Sequence, residues 1–245
     1  MNTLGPAEIR KLISELTGDE IVSKKFLLII LGLLGDFDSF EQIQSLMPMN
    51  KKLIDSNIDL RIIGIGSKDS KAIFCKYTQL PQDNLIIVEN TKIHDALGLY
   101  SCSEITSNSY FNLLLMCLGI NSPGTIKEVL RGYLGDRGSK RIFDSENESY
   151  FKSVSIVNPD LFQLLDFVSG LRPFELASLR LSNLFQVMTN WNLYMLNGDY
   201  LTQRGGTFLL DGSDIVLYSH KSKGLLNYSN KMSDPYYFLE KYLTN

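Results

Sequence analysis

The sequence predicts an α/β protein built on a central mixed sheet flanked by helices. Three apolar runs, each followed by a segment of helical period, alternate through the first hundred residues, which implies parallel strands joined by right-handed crossovers. A hairpin pattern far downstream adds antiparallel strands to the same sheet. Between the two lies a stretch of almost a hundred residues, Tyr100 to Asp199, too long to be a plain loop in a compact domain. It is expected to form a large, mainly helical insertion (100–199), before the hairpin, within a single domain spanning 1–245.

Phe26 to Leu34 is continuously apolar and ends at Gly35, the pattern of a central strand covered on both faces. Asp38 or Ser39, three residues before Glu41 or Gln42, forms a capping-box arrangement. It opens a helix carrying Phe40, Ile43, Leu46, Leu53 and Ile54, with a kink expected at Pro48. Leu60 to Ile65 is the second strand, and the helix after it runs from about Lys68 to Gln79, before Pro81. Asn84 to Glu89 is the third strand, and Thr91 to Leu97 a short helix ending at Gly98. Gly206 to Leu210 and Ile215 to Ser219 flank the turn Asp211 to Asp214, and a last helix is expected over Pro235 to Leu243.

Within 100–199, Phe111 to Ile120 reads as a buried helix, too short to cross a bilayer. Ser122-Pro123 and Asn158-Pro159 each suggest an N-cap with proline at the first helical position, and Gly170 suggests a helix stop. Glu175 to Trp191 reads as an amphipathic helix with Leu176, Leu179, Leu184, Val187 and Met188 on or near one face. Trp191, Tyr194 and Tyr200 are expected in the core.

Composition narrows the function classes. The chain has 245 residues, 44% of them apolar, with 27 acidic and 24 basic side chains spread without a long block of one sign. That balance argues against nucleic-acid binding. No basic start followed by an early apolar run marks a signal peptide, and three cysteines at irregular spacing do not make a disulfide framework, so a cytoplasmic location is expected. No apolar run is long enough for an integral membrane protein. The two histidines, His94 and His220, stand far apart without a cysteine pair at zinc spacing, and Gly64-Ile-Gly66 is no dinucleotide fingerprint. Neither a metal nor another cofactor is expected.

The local sequences Leu28-Ile-Ile-Leu31, Leu34-Gly35, Gly98-Leu99 and Gln203-Arg-Gly-Gly-Thr-Phe-Leu-Leu-Asp211 resemble the peroxiredoxin-like relatives of alkyl hydroperoxide reductase C and thiol-specific antioxidant protein, from about Lys24 onward. Ser122 to Asp136 and Arg172 to Arg180 are similar to the insertion of a subgroup found in cyanobacteria and chloroplasts. The resemblance implies a thioredoxin-like fold and a redox cysteine between the first strand and the next helix. This chain has Asp36-Phe37-Asp38-Ser39 there. A thiolate at that turn would attack a peroxide or disulfide; a carboxylate is a poor nucleophile toward peroxide oxygen, and a serine hydroxyl needs a base. The expected role of Asp36, Asp38 and Ser39 is therefore helix capping.

By the same resemblance, Arg204 matches the position from which the family supplies an arginine to its pocket. Without a thiolate it is expected as a structural ion pair or an anion contact, a relic of the catalytic group. Among the thiols, Cys117 and Cys75 fit buried hydrophobes, and Cys102, in a loop with Ser and Glu, is the candidate for redox reactivity. Arg131, Arg137, Lys140 and Arg141, set among three glycines, form either an exposed patch for a protein partner or a solvated loop. The expected function is a binding or assembly factor without redox catalysis. The alternatives are a thiol-dependent antioxidant oxidoreductase using Cys75 or Cys102, and an accessory subunit of a photosynthetic complex, the last implied only by the subgroup resemblance.

Overall fold

The structure is a computed structural model that describes residues 5–17, 25–102, 106–139, 142, 174–195, 197–213 and 215–243. Among these residues lies one sheet of five strands in the order β3-β2-β1-β4-β5. The strands are β1 (Lys25–Leu33), β2 (Ile58–Ile65), β3 (Leu85–Val88), β4 (Gly206–Asp211) and β5 (Val216–Lys221). β1 pairs parallel with β2 and antiparallel with β4, β3 runs parallel to β2, and β4 and β5 form the hairpin. The mixed sheet inferred from the alternating runs is the one observed.

β1 is apolar along its length because both its faces are covered. Leu27, Ile29 and Leu31 pack with Phe40, Ile43 and Phe74 on one side, while Phe26, Leu28 and Ile30 pack with Ile9, Ile13, Ile93 and Leu97 on the other. The second group of partners comes from α1 (Pro6–Thr17), α5 (Lys92–Ala96) and the residue after α5. The first comes from α2 (Phe37–Leu46) and α4 (Lys68–Thr78), joined by a C-terminal 3₁₀ segment, Tyr237–Tyr242. That segment is 3₁₀ where the sequence predicts an α-helix. Phe238 within it stacks on Tyr218 of β5 at 3.7 Å between ring centroids.

Pro48 divides the helical stretch after β1 into α2, a 3₁₀ turn Met47–Met49 and α3 (Asn50–Asp55). α4 carries a full capping box between Ser67 and Ser70 and ends at Gln79 in the left-handed region.

Between α5 and β4 the described residues form α6 (Ser109–Cys117), α7 (Thr125–Leu134), α8 (Glu175–Thr189) and α9 (Trp191–Tyr194). Asn158-Pro159 and Gly170 lie outside the described residues. Three expectations here are corrected. α6 is a helix but not a buried one, with Phe111, Leu114 and Leu118 each about half exposed. α7 is capped by Gly124 in the left-handed conformation, and the Ser122 hydroxyl instead pairs with that of Thr125 at 2.6 Å. On α8, Leu176, Leu179 and Val187 are buried whereas Leu184 and Met188 face outward, as does Trp191 of α9; Tyr194 is in the core. No helix among the described residues is long and apolar enough to cross a membrane.

Candidate functional site

The turn between β1 and α2 brings together groups from distant parts of the chain. Asp36 caps α2: its Oδ1 accepts the Ser39 amide at 2.7 Å, one of the orphan donors of the first turn. The cap therefore lies earlier than the Asp38 or Ser39 inferred from the capping-box spacing. Asp38 belongs to the first turn itself, and the Ser39 hydroxyl turns back to the Leu33 carbonyl at 3.1 Å.

Arg204 closes the site from the segment that enters β4. Its Nη1 lies 3.2 Å from Asp38 Oδ2 and its Nη2 3.4 Å from Asp36 Oδ2. Nη2 also donates to the Leu201 carbonyl at 2.8 Å, and Nε to the Thr202 carbonyl at 3.3 Å. Two glycines permit this approach. A side chain at Gly205 would begin 2.1 Å from the Ile30 carbonyl oxygen, and one at Gly32 would begin 2.4 Å from that of Gln203. Arg204 is 1% exposed, and Asp36 and Asp38 are 8% and 7% exposed. A buried guanidinium with its donors on carboxylates and carbonyls is a structural ion pair. Of the two uses expected for Arg204, the geometry displays this one.

A loop from Ser222 to Ser229 lies over the turn. The Leu226 amide donates to Asp38 Oδ1 at 2.5 Å, and the Leu225 amide donates to Ser122 Oγ and Thr125 Oγ1 at 3.0 and 2.9 Å. Burial is the largest influence on the Asp38 carboxyl, and Arg204 opposes it; the balance raises Asp38 to about 7. A cavity of about 10 Å³ remains between Asp38, Ser39, Gln42, Ser222 and Tyr228, enough for about one water molecule.

Behind the turn, α2 has almost no solvent face, since every residue from Asp38 to Gln44 is buried. Gln42 donates to Thr207 of β4 at 2.8 Å, while Glu41 and Gln44 are met by α7 and α8. Glu41 receives Arg180 Nε at 2.6 Å and Nη2 at 3.1 Å, and accepts the Tyr228 hydroxyl at 3.3 Å. Gln44 and Asn183 exchange two amide hydrogen bonds, each 2.9 Å. Arg131 joins the same network, 2.6 Å from Glu128, 3.4 Å from Asp136 and 3.8 Å from Glu41.

That placement corrects the reading of Arg131 as part of a loop patch. It sits in the last turn of α7 with its side chain 14% exposed, because Glu128 one turn earlier holds it inward. Arg137 is exposed, and Lys140 and Arg141 lie outside the described residues.

The cysteines also depart from expectation. Cys102 is buried, not in an open loop, because Ser101 forms a β-bridge with Gln203 and tucks Cys102 against Met116, Leu225 and Leu226. Cys117 is exposed on α6 where the sequence suggests a core position, although desolvation still raises its thiol, with Arg204 opposing. Cys75 is in the core, where burial pushes its thiol up to about 11. His94 is fully buried: its Nε2 donates to the Leu31 carbonyl at 2.7 Å, its Nδ1 has no partner, and desolvation lowers its pKa. The ion pairs of Glu41 with Arg180 and Arg131 were missed by sequence reasoning. Nothing local marks them, since Arg180 is 139 residues from Glu41.

No curated protein and no solved structure matches the chain. A family model described as AhpC/TSA antioxidant enzyme matches residues 45–224. The matched span starts within α2 and ends in the loop over the turn, so β1 and the turn itself precede it. Its extent, taken with the five-stranded mixed sheet, places the chain in the AhpC/TSA antioxidant enzyme family.

Proposed function

We propose that this chain is a peroxiredoxin-like protein that acts as a binding or assembly factor without thiol catalysis. The observation that carries the reading is the Asp36–Asp38–Arg204 cluster: the turn that would present a thiolate instead holds two carboxylates against a buried guanidinium. A catalytic thiolate needs exposure and an environment that lowers its pKa. Cys75 and Cys102 are both buried, and Cys75 is raised, which disfavours the rival reading of an oxidoreductase using either.

In this reading the chain is one thioredoxin-like domain, residues 1–245, with 100–199 inserted, and it works in the cytoplasm on a protein partner. The partner surface is the basic stretch Arg137, Lys140 and Arg141. Arg131 anchors Ser139, just before Lys140 in sequence, with its Nη1 donating to Ser139 Oγ at 3.3 Å.

Two measurements test the proposal. Peroxide and disulfide reduction by the native chain should equal that of a Cys75→Ser, Cys102→Ser, Cys117→Ser variant; a clearly higher native rate would establish the oxidoreductase instead. Replacing Arg137, Lys140 and Arg141 by glutamine should remove salt-sensitive partners from pull-downs of the folded protein. Unchanged recovery would eliminate the basic stretch as the contact.

A further inference from the structure

We propose that residues 222–229 form a strap over the β1–α2 turn, and that the ionisation of Asp38 beneath it controls how tightly it closes. The inference is independent of the binding role proposed above. It begins with backbone geometry. Leu226 has φ of 57°, a left-handed conformation that a leucine side chain disfavours and that surrounding contacts must impose. Those contacts are the Leu226 amide on Asp38, the Leu225 amide on Ser122 and Thr125, and the Ser222 hydroxyl on the Asn227 carbonyl at 2.6 Å. Under the strap lie Cys102 and the Asp38–Arg204 ion pair.

The second argument is charge. Two carboxylates converge on one guanidinium in a buried site, so with both ionised the cluster carries a net negative charge away from water. The third carboxylate nearby, Glu41, is matched by Arg180 and Arg131, so those arginines do not neutralise the pair. Among the described residues, the remaining groups facing the cluster are the Tyr228 hydroxyl on the strap, the Cys117 thiol of α6 and the buried His94 beside Asp36, whose charged form desolvation disfavours. None supplies a compensating cation.

The sign follows from burial, which outweighs Arg204 and the strap's own Leu226 amide, both of which favour the charged carboxylate. Under the closed strap Asp38 is raised to about 7, whereas in an opened strap it meets water and returns toward the ordinary carboxylate value of about 4. The closed form therefore binds the proton more tightly. Closure is strongest in mild acid and weakens as pH rises toward 7, after which it levels off. Between pH 6 and pH 8, opening should become about tenfold more frequent.

Hydrogen exchange of the 222–229 amides, corrected for the intrinsic dependence of exchange on pH, reads this directly. We expect about tenfold less protection at pH 8 than at pH 6 in the native chain, and no such difference in Asp38→Asn. His220 also bonds the strap, 3.0 Å from the Asn227 carbonyl, so a His220→Gln variant must retain the tenfold difference. Thr125→Val, which removes one acceptor of the Leu225 amide, should raise exchange at both pH values and preserve their ratio. Equal protection at the two pH values, a native difference that survives in Asp38→Asn, or its loss in His220→Gln would each overturn the proposal. Should Asp38→Asn not fold, the native and His220→Gln results decide.

Discussion

At the residue scale, one arginine divides structure from surface. Arg131 reads in sequence as the first member of a basic, glycine-rich stretch, yet it faces Glu128, Asp136 and Glu41. Removing one partner of a buried ionic network leaves the others uncompensated, so Arg131→Gln should lower unfolding free energy by about 3 kcal/mol, while Arg137→Gln changes it by less than about 0.5 kcal/mol. Denaturant titrations of the two variants check the contrast, and equal effects would refute it. Asp36 offers a cleaner comparison. Asn is as good an N-cap as Asp, so Asp36→Ala should be about 1 kcal/mol less stable than Asp36→Asn, a difference that isolates the cap from the charge. If the two variants melt together, Asp36 is not the cap. The residue types at this turn and capping by the group were legible in sequence, but which residue caps was not. Capping-box spacing pointed to Asp38 or Ser39 because it counts along the chain, while the position of Arg204 depends on the close passage of Gly205 against β1.

At the scale of elements, α2 sets the pattern. Its apolar positions Phe40, Ile43 and Leu46 follow helical spacing and were readable as a core face, and β1 was readable because a strand covered on both sides has no polar alternation. The opposite face of α2 was not readable. Glu41, Gln42 and Gln44 look like solvent-facing residues until the folded chain covers them, and only tertiary contacts supply their partners. The Gln44–Asn183 pair is the simplest probe of that cover. Asn183→Ala strands the buried Gln44 amide and should cost about 1–3 kcal/mol, whereas replacing both by leucine should recover part of the loss. A double variant no more stable than the single would show that the amides act separately. α6 failed for the converse reason: an apolar sequence such as Phe111 to Ile120 carries no label for which face meets the core.

At the scale of the whole molecule, two buried groups oppose each other in the response to pH. The raised Asp38 favours the folded state at low pH, and that contribution is lost as pH rises from the ordinary carboxylate range to about 7. The lowered His94 works the other way: the unfolded chain takes up a proton below about 6.5 that the folded chain resists, so its contribution falls with acid. Between about pH 7 and pH 5 the two offset one another. Asp38→Asn should remove a term that opposes His94, so its urea midpoint should fall more steeply toward pH 5 than that of the native chain. Parallel slopes would contradict the assignment of the opposing term to Asp38.

The pairing of β1 also has a consequence for synthesis. Residues 25–30 are seated against 206–211, which leave the ribosome about 180 residues later. At ~5–20 residues per second that interval is roughly 10–35 s. Throughout it, a nine-residue strand rich in Leu and Ile exposes one hydrogen-bonding edge, and that composition favours cross-β association. Nascent chains stalled before β4 should therefore engage holding chaperones or aggregate, and a stall placed after residue 221 has emerged should relieve both.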